Sequence, residues 1–143
     1  MRVARFHIVG KIEGVSHQLY EDHQICLETG AERRRWAGKL PSETLEYGEP
    51  LAQGFLRGLR EELSLTDRQV ARARVLHLAH WPIVEKTQGR SFPGLLTQYF
   101  LWDCYVMLAA RDVHPKGYVE DHDGRRTFFL WHPDVPLDAS TAL

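Results

Sequence analysis

The sequence of 143 residues has little cysteine, almost no net charge and no long apolar run, and each shortage excludes a class of protein. Cys26 and Cys104 are too few and too far apart for a disulfide framework or a metal knuckle, so we expect reduced core residues. A formal net charge of -1 gives no field that would attract a polyanion, which argues against bulk nucleic-acid binding. No apolar run approaches the roughly 20 residues of a membrane span, and the charged start does not suit a signal peptide. We therefore expect a cytoplasmic protein with no membrane partner.

The composition is that of an ordinary globular domain. Apolar residues make up 43% of the chain and charged residues 26%, so a chain of this length can bury a core without disulfide bonds. No repeat, low-complexity tract or linker interrupts the sequence. We expect a single domain over residues 1–143.

Apolar periodicity predicts strands around one clear helix. In the first strand, Phe6, Ile8 and Ile12 alternate with charged or polar residues. In the stretch 96–107, apolar side chains point to both faces, which predicts a central strand covered on both sides. Further strands are predicted over 75–84 and 127–131, and 23–28 and 35–40 are weaker strand candidates.

The stretch 50–63 is predicted to be the helix. Pro50 suits a first turn, where its missing N–H costs nothing. An apolar side chain recurs at every fourth position, at Leu51, Phe55, Leu59 and Leu63. Gly54 and Gly58 each cost about 1 kcal/mol relative to alanine inside a helix, so something should offset them. The offset is either packing against a neighbouring strand or close approach of the preceding loop or of a ligand to the bare helix face.

Carboxylates cluster on this helix. Glu61 and Glu62 lie at i+3 and i+4 from position 58, so side chains at the three positions would converge on one face. Clustered carboxylates repel one another unless a cation lies between them, and oxygen ligands of this kind suit Mg2+ or Mn2+. Arg57 can reach back to Glu49 and connect the preceding loop to the helix. The alternative is a solvated helix face in which Arg57 pairs with Glu61.

The segment from Glu43 to Leu65 resembles the signature of the Nudix hydrolases, G-x5-E-x7-R-E-U-x-E-E-x-G-U, in which U is aliphatic. Six of its nine defined positions match, at Glu49, Arg57, Leu59, Glu61, Glu62 and Leu65. The departures are Glu43, Gly58 and Ser64, where the signature has Gly, Glu and Gly. We expect Glu43 to reshape its loop, because a left-handed backbone would be strained there, and Ser64 to be a poorer helix cap than glycine.

The resemblance implies an α/β fold, an α/β/α sandwich around a mixed β-sheet, for essentially the whole chain. Its C-terminal helix should be short or absent, because only twelve residues follow Trp131. It also implies an Mg2+- or Mn2+-dependent hydrolase that cleaves a diphosphate bond in a nucleoside diphosphate linked to another moiety. The alternative is a catalytically impaired ligand-binding or regulatory module of the same fold, because Gly58 replaces a usual catalytic glutamate.

The resemblance also assigns roles to residues. It implies that Glu61 and Glu62 bind the metal ion, while Arg57 and Glu49 hold the loop before the helix. The backbone carbonyl of Ser42 is a further candidate metal ligand. A glutamate at position 58 would complete the carboxylate cluster, so we expect Gly58→Glu to raise turnover without loss of stability.

Residues outside the signature complete the expected site. Glu120, in the predicted loop 117–124, is our first choice for a compensating catalytic and metal-binding acid, with Glu85 as a weaker candidate. A solvated acidic loop is the alternative. Trp81, beside Pro82, is the tryptophan most suited to stack on a substrate base.

The oligomeric state is predicted from the strands. The stretches 75–84 and 96–107 need cover on both faces, and the sequence shows one long amphipathic helix to supply it. We therefore expect a homodimer.

Overall fold

The computed structural model describes residues 1–88, 94 and 96–133. Its elements are β1 (Arg2–Ile12), β2 (Val15–Cys26), β3 (Glu32–Lys39), β4 (Ser42–Thr44), α1 (Leu51–Leu63), α2 (Asp67–Arg72), β5 (Arg74–Leu78), β6 (Ile83–Gln88), β7 (Leu96–Met107), a 3-10 turn (Ala110–Asp112), β8 (Tyr118–His122) and β9 (Arg125–Pro133). The expected short or absent C-terminal helix falls on residues outside this description. In the described stretches, no helix has the length and apolar character needed to cross a membrane.

The described strands form one mixed sheet in which β1 and β7 run parallel and the other pairs run antiparallel. β1 and β2 pair only next to their connecting turn, where Val9 to Ile12 lie opposite Val15 to Gln18. Farther from the turn, β4 pairs with β1 and β3 pairs with β2. The short link between β3 and β4 therefore carries the chain from one half of the sheet to the other.

Two tight hairpins set the register of the sheet. Glu13 and Gly14 connect β1 to β2, and Asp123 and Gly124 connect β8 to β9, with positive φ at both residues of each turn. Such two-residue turns match the twist of antiparallel strands, and glycine adopts positive φ without strain. The second hairpin corrects the predicted loop 117–124, because most of that stretch is strand β8 and Glu120 lies on the strand.

The core lies between α1 and one face of the sheet. The inward side chains of β1 are fully buried at Ala4, Phe6 and Ile8, and Phe6 meets Phe55 of α1 edge to face at 5.2 Å between ring centroids. Cys104 is buried in this core as predicted. The same prediction is wrong for Cys26, which is only partly buried at the end of β2.

The position predicted for β7 is confirmed, since it pairs with β1 on one side and with β5 and β6 on the other. The expected apolar cover on both faces is wrong. On the face opposite α1, Arg5 donates to Asp103 from Nε at 2.7 Å, and His7 lies 2.8 Å from the same carboxylate. Tyr105 stacks on the His7 ring with centroids 4.1 Å apart. The centre of this outer face is thus polar, so the hydrophobic effect does not require cover there.

Two further elements differ from the sequence prediction. The single strand expected over 75–84 is divided into β5 and β6, which pair with different parts of β7. The short helix α2 was not predicted. Its N-cap Thr66 accepts from the Gln69 amide at 3.2 Å, and the Gln69 side chain accepts from the Thr66 amide at 2.8 Å. This capping box is the sequence signal that could have revealed the helix.

Candidate active site

Helix α1 presents its polar face because its apolar stripe is held against the sheet. Pro50 precedes the helix in an extended conformation, and the predicted boundary is confirmed to within one residue. The buried positions are Gly54, Phe55, Gly58, Leu59 and Leu63. Ser64 ends the helix at φ 54°, the left-handed conformation that glycine adopts more easily.

Arg57 connects this helix to the segment that precedes it. Its Nε and Nη2 donate to the two carboxylate oxygens of Glu49 at 3.0 and 2.9 Å. Its Nη1 donates to Glu43 at 3.1 Å and to Glu61 at 3.3 Å, and Nη2 also donates to the carbonyl oxygen of Thr44 at 2.9 Å. The contact with Glu49 and the i,i+4 pair with Glu61, which the sequence offered as alternatives, are therefore both present.

Glu49 is the most strongly held of these carboxylates. It is buried, and besides Arg57 it accepts a hydrogen bond from the backbone amide of Glu46 at 3.0 Å. The hydrogen bonds from Arg57 and from Glu46 lower the pKa of Glu49 to about 2. Glu49 is thus charged throughout the neutral range and fixes the 46–49 turn against the helix.

A carboxylate-lined cavity of about 450 Å3 lies beside this connection. It brings together the helix, β4 and β8, and its lining residues are Glu43, Glu61, Glu62, Glu120, Asp121 and His122. Three site residues predicted from the sequence, Glu61, Glu62 and Glu120, therefore meet at one place. Glu43, which the sequence analysis treated only as a departure from the signature, lines the same cavity.

The electrostatics of this cavity disfavour negative charge. Burial, together with the nearby charges of Glu120, Glu43 and Glu21, raises the pKa of Glu62 to about 9, while Lys39 opposes the shift. Burial also raises the pKa of Glu43 and of Glu120. A cation bound among these carboxylates would lower their pKa values, because its positive charge favours the ionised form. Glu62, whose pKa is raised, would then become negatively charged.

A second, smaller cavity of about 130 Å3 shares Glu62 and Glu120 with the first. Ser42, the predicted carbonyl ligand, lines this cavity together with Lys39 and Glu21. Ser42 and both shared glutamates are thus within one continuous polar region.

The smaller cavity is also lined by polar side chains that the sequence did not reveal, those of Glu21, Gln24 and Thr127. Gln24 donates from Nε2 to Glu21 at 3.0 Å and to Thr127 at 3.1 Å, and Thr127 lies opposite Glu120 in the register of β8 and β9. The alternation of inward and outward side chains along β2 could have revealed part of this lining. Glu21 lies two residues after the buried Leu19, so both side chains point to the same face of the strand. A bulge between residues 21 and 23 interrupts that alternation, and no sequence motif marks it.

The two glycines of α1 are explained by close packing. A Cβ atom at Gly58 would lie 2.3 Å from Cζ of Phe6 and 3.0 Å from Cβ of Glu43, and one at Gly54 would lie 2.2 Å from Cδ2 of Leu45. The cost of glycine in the helix at position 58 is therefore offset in both of the ways considered. Gly58 packs against Phe6 of strand β1, and the segment before the helix approaches it closely at Glu43. The expectation that glutamate fits at position 58 without loss of stability is wrong, since the Phe6 ring is fully buried.

The donor chemistry of the cavity fits a hard divalent cation. The four glutamates of the cavity supply carboxylate oxygen, the ligand type that Mg2+ and Mn2+ prefer. Within residues 1–88, 94 and 96–133, no three His, Cys, Asp or Glu side chains already surround one point as metal ligands. Binding therefore requires the long glutamate side chains to turn toward a shared centre.

The remaining candidates lie elsewhere. Trp81 is 84% exposed and follows β5, and it does not line either of the two carboxylate cavities. Glu85 lies on β6 and acts electrostatically on Arg5 of the outer face. The predicted site residues thus divide into a central group around Arg57 and the cavities, and two outlying positions.

The fold is shared with solved structures. No protein-family model and no curated protein sequence matches the chain. The structure of an Ap4A hydrolase from C. elegans in a binary complex matches with a TM-score of 0.55 and 14% identity, over 92% of this chain and 79% of that one. RenU, a Nudix hydrolase from M. smegmatis, matches with a TM-score of 0.50 and 14% identity, over 88% of this chain and 68% of that one. At such identities the similarity concerns the fold alone, and the chain has the mixed-sheet α/β/α fold of the Nudix hydrolases.

Proposed function

We propose that the chain is a metal-dependent hydrolase that cleaves a diphosphate bond in a nucleoside diphosphate linked to another moiety. The observation that carries the proposal is the convergence of Glu61 and Glu62 from α1 with Glu120 from β8 on one cavity. Carboxylates assembled in this way are costly without a cation and favourable with one. The fold supports the reaction class by analogy only, since one fold serves many activities.

In this proposal, Glu61, Glu62 and Glu120, with the backbone carbonyl of Ser42, hold Mg2+ or Mn2+. A cation bound there neutralises the charge of a diphosphate and lowers the pKa of a coordinated water. Arg57 and Glu49 have a positioning role, because their paired hydrogen bonds hold the turn before the helix next to these ligands.

The cavities give room for the substrate. The larger one, of about 450 Å3, opens beside the carboxylates, and the smaller adds the cation of Lys39, which suits a phosphate oxygen. Trp81 offers an exposed ring on which a nucleobase can stack. For that role, Trp81→Ala should raise KM and leave kcat nearly unchanged.

A second function is favoured by the environment of Gly58. The Phe6 ring occupies the space that a side chain at this position would need, so α1 supplies one carboxylate fewer to the cavity than the Nudix signature would. The same pocket would then bind a nucleotide as a regulatory or ligand-binding module without turnover. Binding without product release distinguishes this function from the first.

A substrate panel tests both proposals. Nucleotide sugars, dinucleotides and nucleoside triphosphates are incubated with the full chain and Mg2+ or Mn2+. Phosphate is measured after phosphatase treatment for the first two classes, whose diphosphates a phosphatase does not attack before cleavage, and phosphate and diphosphate are measured directly for the triphosphates. We expect Glu62→Gln to abolish turnover and Glu120→Gln to weaken it. Glu28→Gln, which removes one charge from an exposed turn, is the matched control. Full activity of Glu62→Gln would contradict the metal assignment, and ligand binding by a wild-type chain that releases no phosphate would favour the regulatory module.

A further inference from the structure

Two departures from the Nudix signature face each other in space. Glu43 stands where the signature has glycine, and Gly58 stands where it has glutamate. A Cβ atom at Gly58 would lie 3.0 Å from Cβ of Glu43, so the two positions are in direct contact across the junction of β4 and α1. The chain has thus exchanged glutamate and glycine between two touching positions.

Packing prevents the helix from supplying a side chain here. The same Cβ atom at Gly58 would lie 2.3 and 2.7 Å from two ring atoms of Phe6. Phe6 is fully buried and packs edge to face on Phe55 at 5.2 Å between ring centroids, so its ring cannot move aside without displacing other core side chains. A carboxylate at this junction therefore has to come from the β4 side.

The backbone of β4 directs Glu43 to that place. Glu43 pairs with Ala4 of β1, and its neighbours Ser42 and Thr44 pair with Arg5 and Val3. Because side chains alternate along a strand, Glu43 points to the face that carries α1. Its backbone is extended and not left-handed, which agrees with the expectation that Glu43 reshapes this segment.

The Glu43 carboxylate is coupled to the other acids of the cavity. Arg57 donates to Oε1 of Glu43 at 3.1 Å, and Glu43 lines the larger cavity together with Glu61, Glu62 and Glu120. Carboxylates that share a cavity repel one another unless a cation lies between them. Arg57 divides its donors among five acceptor oxygens, three of them on Glu49 and Glu61, so it does not fully neutralise Glu43.

We propose that Glu43 supplies, from β4, the metal-binding carboxylate that position 58 lacks, and that it shares the cation with Glu62. The inference rests on the proposed metal-dependent function and adds a ligand to it. It also explains why the two departures occur together: with glycine at both positions the junction would lack a carboxylate, and with glutamate at both the side chains would collide with each other and with Phe6.

Metal binding without substrate provides the test. Mn2+ affinity of the full chain is measured by titration calorimetry and by the electron paramagnetic resonance signal of free Mn2+. Glu43→Gln keeps the size of the side chain and its hydrogen bond with Arg57, so the melting temperature without metal should hold. We expect its Mn2+ affinity to fall by about tenfold or more. Glu28→Gln, an exposed change outside the site, should bind like the wild type.

A further variant separates the inference from the resemblance. Glu43→Gly restores the residue of the signature, and we expect it to weaken Mn2+ binding rather than improve it. Wild-type affinity in Glu43→Gln, with affinity lost in Glu62→Gln, would overturn the role of Glu43 and leave the proposed function intact. Absence of Mn2+ binding by the wild-type chain would overturn both.

Discussion

Replacing Gly58 by alanine should destabilise the chain, although alanine is the better helix former. The helix preference alone would stabilise the variant by about 1 kcal/mol. Against this, the new methyl group would lie 2.3 Å from Cζ of Phe6. Ordinary carbon contacts are about 3.5 to 4.0 Å, so one group has to move by more than about 1 Å.

The cost of that movement exceeds the gain. Overpacking a well-packed core costs about 1 to 3 kcal/mol. Subtracting the helix preference leaves a net loss of up to about 2 kcal/mol in the free energy of unfolding. Urea denaturation followed by tryptophan fluorescence resolves a change of this size.

Two comparisons isolate the packing effect. Arg60→Ala and Arg60→Gly both lose the ion pair with Asp67, so their difference measures the alanine preference at an exposed site of the same helix. A Phe6→Leu change should relieve the overlap, so Gly58→Ala should cost less in that background, with a coupling energy of about 0.5 to 3 kcal/mol. If Gly58→Ala instead gains as much stability as the exposed site does, the close packing of Gly58 on Phe6 is refuted.

Three other predictions concern stability and assembly. Ser64→Gly should stabilise the chain by up to about 1 kcal/mol in the same urea assay, because glycine relieves the left-handed cap; a loss would contradict the assigned conformation. The hydrogen bonds from Arg72 lower the pKa of buried Asp112, so the stability from this pair is present above about pH 4 and is lost as the pH falls through the lowered pKa. Asp112→Asn should therefore melt lower than the wild type at pH 6, and the difference should shrink towards pH 2; a constant difference would contradict the linkage. The homodimer stays a prediction, now motivated by exposed apolar side chains such as Val75 and Ile83 near one edge of the sheet, and light scattering that finds a monomer at tens of micromolar would contradict it.

Local patterns in the sequence predicted several elements because the interactions that form them are local. The four-residue apolar repeat and Pro50 predicted helix α1 almost to its ends, and apolar side chains on both faces of 96–107 predicted β7 as a central strand. The contact of Arg57 with Glu49 also followed from spacing, since the two residues are only eight positions apart. The Nudix signature led to the same fold that the solved structures share.

Contacts between distant segments could not be predicted in this way. Gln24 donates to Thr127 across 103 positions, and this contact depends on the register of β2 with β9, which a bulge shifts. The polar contacts on the outer face could not be predicted for the same reason. The ion pair of Arg5 with Asp103 depends on the parallel register of β1 and β7.

Residue order alone specifies the helix, its acidic face and the presence of a glutamate at 43 and a glycine at 58. The contact between these two positions, and the Phe6 ring that fills the space beside Gly58, result from tertiary packing. The physical reason is that hydrogen bonds within a helix and the alternation of a strand are set by neighbouring residues, whereas close packing depends on how the helix lies on the sheet. The order of residues therefore specified which carboxylates the chain has, and the packing of α1 on β1 and β4 specified which of them meet.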